Sequence, residues 1–124
     1  MKIVNTTNAP KAVGPYSQAV VSNGLVFCAG QISLNPETGE LAGDNIESQT
    51  KQVLNNITQV LKEAGTSLEK AVNTTCYLRS MDDYLKFNET YASFFTEDKP
   101  ARTTIEVSRL PKDALVEIAL VAEI

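Results

Sequence analysis

The sequence predicts an α+β fold, a mixed β-sheet with two helices packed on one face, occupying residues 1–124 as a single domain. Three observations predict it. Two β-branched runs are joined by Asn23-Gly24, two segments repeat apolar residues at spacings of three and four, and two further strand-like runs close the chain. The resulting order is hairpin, helix, strand, helix, strand, strand. Each strand-helix-strand passage calls for a crossover connection, so parallel and antiparallel neighbours should share one sheet.

Taken in order, Ser17–Ser22 and Leu25–Gly30 flank Asn23-Gly24, whose left-handed preference suits a type I′ turn and a tight hairpin. Residues Gln31–Asn45 are polar, contain Asn35-Pro36 and Thr38-Gly39, and read as a loop with a short edge hairpin. A helix follows from Ile46 to Ala64, because Ile46, Val53, Leu54, Ile57, Val60, Leu61 and Ala64 recur on one face. Asp44 with Glu47 supplies its expected capping pair, and Gly65 ends it. Ala71–Leu78 is strand-like. Ser80 with Asp83 is expected to cap a second helix carrying Tyr84, Phe87, Tyr91, Phe94 and Phe95, and Pro100 ends that region. Strands at Thr103–Val107 and Leu115–Glu123 complete the chain, joined through Leu110-Pro111-Lys112-Asp113.

Composition removes several function classes. Lys plus Arg is 11 and Asp plus Glu is 15, a net charge of −4, so the chain lacks the basic face that nucleic-acid binders use. The first residues carry no apolar signal core, and no apolar run approaches the ~20 residues that cross a bilayer, so a cytoplasmic protein without a membrane partner is expected. There is no histidine, which excludes a Ser-His-Asp triad, a Cys-His pair and an HExxH zinc site, and no metal site is expected. No phosphate-binding glycine loop is present, so no nucleotide cofactor is indicated. Cys28 and Cys76 sit in separate apolar runs and read as reduced core thiols.

The last strand carries the chemistry that remains. Glu117 lies among Ala114, Leu115, Val116, Ile118, Ala119, Leu120, Val121 and Ala122, and an ionised carboxylate is costly to bury unless something pairs with it or uses it. Arg102, after Pro100-Ala101, offers a guanidinium to a carboxylate partner or ligand. On these residues alone, a structural ion pair and a catalytic couple are equally good readings. Both parities of the last strand are apolar, which implies a sheet covered on both faces. Two helices cover one face. A second copy is expected on the other, making a homo-oligomer with Glu117 near an intersubunit surface.

Gly14-Pro15-Tyr16-Ser17-Gln18-Ala19, Ala29-Gly30-Gln31-Ile32, Pro100-Ala101-Arg102-Thr103, and Leu110-Pro111 followed by Val116-Glu117-Ile118 closely resemble the reactive intermediate deaminase family (RidA/YjgF). These blocks are ordered along the entire chain. The resemblance implies a chorismate-mutase-like fold, a homotrimer with sites in clefts between subunits, and hydrolysis of enamine or imine intermediates such as 2-aminoacrylate and 2-aminocrotonate to 2-oxo acids and ammonia. It implies that Arg102 binds the substrate carboxylate, that Glu117 positions the attacking water, and that Tyr16, Gly30 and Thr104 contribute to substrate binding, with no cofactor. Many family members carry a cysteine where this chain has Thr104; a hydroxyl can serve a hydrogen-bonding role there but not a thiol-dependent one. Asn88 reads as structural, tying the second helix to a loop. Lys99 and Lys112 lie near the implied site and would add positive potential for an anionic substrate. The competing reading is a non-catalytic, regulatory trimer that binds 2-oxo acids.

Overall fold

Asn23 and Gly24 both take positive φ, 52° and 75°, as the hairpin signal requires, and Ser22 pairs with Leu25 across the turn. In the computed structural model, which describes residues 1–124, this hairpin consists of β2 (Ala19–Ser22) and β3 (Leu25–Gln31). A three-residue strand, β1 (Lys2–Val4), adds antiparallel to the outer side of β2. It was not expected, since three residues are too few to display a period of two. What holds the chain beyond it is the buried Gln18 side chain, which accepts from Thr6 N at 2.7 Å and donates to Thr6 O at 3.0 Å and Pro10 O at 2.7 Å.

The sheet continues with β4 (Ala71–Leu78), β5 (Ala101–Glu106) and β6 (Val116–Glu123), and its spatial order is β1-β2-β3-β6-β4-β5. Only β4 and β5 pair in parallel, so the sheet is mixed, as the element order predicts. The final strand fills the gap between β3 and β4. Strand β5 starts two residues earlier than its β-branched run suggests, because the parallel register continues to Ala101 opposite Asn73. Leu34 and Leu41 form the small bridge expected within the 31–45 segment.

Helix α1 (Ile46–Ala64) ends at Gly65, which has the left-handed φ of 89° that its position demands. Its cap lies one residue later than expected. Asn45 Oδ1 accepts from Ser48 N at 2.8 Å, and Asn45 N donates back to Ser48 Oγ at 3.4 Å, so Asn45 and Ser48 occupy the reciprocal arrangement assigned to Asp44 and Glu47. Ser80 caps a 3₁₀ turn, Met81–Asp83, through Asp82 N, and Asp83 makes no capping bond. Helix α2 is therefore only Tyr84–Ala92; Phe94 and Phe95 lie past its end, with Phe95 stacked on Tyr91 at 4.4 Å.

Both helices cover one face. Val53, Leu54, Ile57, Val60 and Leu61 of α1 are fully buried in one core with Val26, Ile118 and Ala122 of the sheet, each Val, Leu or Ile side chain contributing roughly 1.5–3 kcal/mol. The opposite face has no cover. Phe27 and Ile105 are 42% and 45% exposed there, and Val20, Leu25, Ala29, Ala119 and Val121 are only half-buried. No helix is long and apolar enough to cross a membrane.

Candidate functional site

Arg102 pairs with Thr74 of β4, and Thr74 with Leu120 of β6. Leu120 and Thr74 are buried under the helices, so side-chain alternation turns Arg102 toward that face as well. Its Nη2 donates to Tyr84 Oη at 3.1 Å. The guanidinium carbon lies 4.8 Å from the centre of the Tyr91 ring, 5.5 Å from Phe87 and 5.7 Å from Tyr84. Three ring faces thus hold one cation, fixing its direction without neutralising it. Beside it opens a cavity of about 280 Å³ lined by Asn88, Tyr91, Phe95, Lys99 and Arg102.

Two polar side chains around this arginine are unsatisfied. Thr104, two residues along β5 and therefore on the same face, has a buried Oγ1 with no partner, and so does Asn88 Oδ1. Unpartnered buried polar atoms cost about 1–3 kcal/mol each, which a ligand supplying the missing bonds would recover. Asn88 does not tie α2 to a loop, as its position suggested: its carbonyl oxygen meets no donor and its side chain lines the Arg102 cavity. The signal was present in the sequence as one amide on an aromatic stripe, four residues after Tyr84 and three before Tyr91.

Glu117 pairs with Tyr77, three positions from Thr74, so it faces the other way. Its cavity, about 420 Å³, is walled by Tyr16, Gly30, Ile32, Leu34 and Lys112 among others. Burial pushes the Glu117 carboxyl above the ordinary carboxylate range. The β3–β6 register shifts between Cys28 and Gln31, and the irregularity brings Gly30 against this carboxyl: a Cβ on Gly30 would lie 3.0 Å from Glu117 Cδ and closer still to Oε2. Tyr16 stands half-exposed on its turn, held by its own backbone bond to Gly14 O at 2.8 Å.

The residues implied for one site therefore fall into two groups on a single chain. Tyr16, Gly30 and Glu117 share one cavity, and Arg102 and Thr104 lie on the other face of the sheet. The cysteines belong to neither wall. Burial pushes the thiol of Cys28 up to about 12 and that of Cys76 up to about 11, as expected of unreactive core thiols.

Residues 6–124 match the sequence model of a family described as Endoribonuclease L-PSP. The 2-iminobutanoate/2-iminopropanoate deaminase of Escherichia coli is 40% identical over 124 residues, covering 98% of this chain and 96% of that protein. The chain belongs to the RidA/YjgF family. Among solved Rid structures, YyfA of Yersinia pestis superposes with a TM-score of 0.97 at 48% identity, over 99% of this chain and 98% of that one. Escherichia coli TdcF with bound serine gives 0.94 at 35% identity, over 100% and 99%. All four sequence blocks that resemble the Rid family fall within the matched residues.

Proposed function

We propose that this chain hydrolyses 2-aminoacrylate and 2-aminocrotonate, through their imine tautomers, to 2-oxo acids and ammonia, at a site completed by a second copy. The observation that carries this reading is Glu117, a carboxyl raised by burial above its ordinary range, lining a cavity with Tyr16 and approached closely by Gly30. Arg102 and Glu117 occupy opposite faces of one sheet, so a single chain cannot offer both to one small molecule. A contact joining the Arg102 side of one copy to the Glu117 side of the next uses two different surfaces, and repeated contacts of that kind form a ring when the rotation between copies closes. A homotrimer, which the family resemblance implies, is such a ring, and its formation would cover the apolar face now bearing Phe27 and Ile105.

In this site Arg102 holds the substrate carboxylate with its guanidinium fork, aimed by Tyr84 and the rings around it. Thr104 Oγ1 and the Asn88 amide supply further hydrogen bonds. Glu117 accepts a proton from water as the water oxygen attacks C2 of the imine and passes that proton to the imine nitrogen, giving a carbinolamine. The carboxylate then takes the hydroxyl proton and delivers it to the amino nitrogen as the C–N bond breaks and C=O forms, so that ammonia leaves with the 2-oxo acid. A carboxyl shifted upward is better matched to this exchange near neutrality than an ordinary one. No step calls for a metal or cofactor. Ribonuclease activity, named in the description of the matched family, finds little support: the chain has no histidine and a net charge of −4.

The test is coupled turnover. With threonine dehydratase generating 2-aminocrotonate, the protein should accelerate formation of 2-oxobutanoate over buffer, and Arg102→Ala should abolish the acceleration. Calorimetric binding of 2-oxobutanoate with no acceleration would replace the deaminase with a regulatory binding trimer.

A further inference from the structure

The connection into β6 contains an unusual backbone. Lys112 and Asp113 are consecutive non-glycine residues at positive φ, 55° each, and the only other one in the chain is Asn23 in the hairpin turn. A side chain with a Cβ resists this conformation, and lysine lacks the short polar group that eases it for asparagine. The turn is clamped. Arg79 Nη1 donates to Asp113 O at 3.0 Å, Ala114 N to Pro111 O at 3.1 Å, and Leu115 N to the buried Gln49 Oε1 at 2.8 Å. Strain that its surroundings enforce in this way tends to gather at functional sites.

The consequence of the clamp is the position of Lys112. Its side chain is exposed and lines the Glu117 cavity, where Glu117 and Lys112 are the only charged residues. It also lines the adjoining cavity beside Lys11. Lys99, near Arg102, is committed to Phe95 O at 3.1 Å, whereas Lys112 has no hydrogen-bond acceptor within the chain. An anion approaching a chain of net charge −4 meets repulsion from the Glu117 carboxylate, and Lys112 is the cation placed to offset it.

We propose that Lys112 is a specificity-determining residue that recruits anionic substrates to the Glu117 cavity, and that the strained turn serves to present it there. For the identity of its substrate the assignment rests on the deaminase reading; for the anion it does not. Lys112→Gln, Lys112→Arg and Lys112→Gly are compared with wild type in the full-length oligomer. The readouts are kcat and KM in the coupled assay, calorimetric Kd for 2-oxobutanoate, and melting temperature. Measurements are made at ~0.01 M salt, where the screening length is ~30 Å, and at ~1 M, where it is ~3 Å.

Lys112→Gln and Lys112→Gly should lower kcat/KM and weaken 2-oxobutanoate binding roughly two- to five-fold at low salt, with kcat unchanged and the gap closing at high salt. Lys112→Arg should retain wild-type values. Lys112→Gly should also melt at a higher temperature, because glycine accepts the left-handed backbone. A purely structural lysine would not lose affinity as the fold gains stability. The assignment is overturned if Lys112→Gln matches wild type at low salt, if its loss persists at ~1 M salt, or if Lys112→Gly melts lower. A wild-type protein that does not turn over imine but binds 2-oxobutanoate with this Lys112 and salt dependence overturns the deaminase reading alone. Turnover in wild type with no Lys112 effect overturns the recruitment role alone, and neither turnover nor binding overturns both.

Discussion

Replacing Gly30 with alanine tests how closely the cleft is built around Glu117. Gly30 does not occupy the left-handed region, so alanine brings no backbone penalty and the whole effect arises from one methyl group. That methyl would sit 3.0 Å from Glu117 Cδ and 3.2 Å from Cγ. Unstrained carbon contacts begin at about 3.5 Å, so the carboxyl must retreat by roughly 0.5–1 Å. Misplacing a catalytic group by ~1 Å costs on the order of 10²-fold in rate. In the dehydratase-coupled assay, Gly30→Ala should therefore lose about 10²-fold in kcat while its melting temperature stays close to wild type. Wild-type turnover in Gly30→Ala would refute the reasoning, because it would mean that the reaction does not depend on where the Glu117 carboxyl rests.

Two further outcomes follow from the same geometry. Burial raises the Glu117 pKa in the folded protein, so the protonated form is favoured by folding; its contribution to stability is complete below the unfolded value and is lost as pH rises through the folded one. Glu117→Gln should accordingly melt above wild type at neutral pH and converge with it in acid, and the kcat/KM of the wild-type protein should fall as acid protonates the carboxyl. Phe27, 42% exposed on the uncovered face, should lie within the contact between copies. Phe27→Asp should yield a monomeric mass by light scattering, with a folded circular-dichroism spectrum and no turnover.

Much of the fold was legible because its signals are local. Asn23-Gly24 set the hairpin, the 3.6-residue stripe of Ile46–Ala64 set α1, and the doubly apolar last strand marked a sheet with a second face to cover. The capping residues slipped by one at α1, because the side chains at 44, 45, 47 and 48 can all make such bonds and only the backbone path decides which pair does. Strand β1 carries no signal in the sequence because pairing with β2, not its own pattern, creates it. Glu117 is visible in the sequence as a charge in apolar company, and Arg102 as a guanidinium at the mouth of a β-branched run. Their facing was not, since it depends on two long-range registers, Arg102 with Thr74 and Tyr77 with Glu117. The role of Asn88 is illegible in the sequence for a related reason: whether an amide on a helix is satisfied depends on what the fold brings opposite it, and here that is a cavity.

Subunit mixing tests most directly whether one copy's guanidinium works with another copy's carboxyl. Arg102→Ala and Glu117→Gln chains, each inactive alone, are unfolded together in equal amounts, refolded and assayed. At each contact between copies, the chance that the arginine side comes from a Glu117→Gln chain and the glutamate side from an Arg102→Ala chain is one in four. The mixture should therefore regain about a quarter of wild-type activity. A mixture that forms oligomers yet stays as inactive as its parents would contradict a site shared between copies.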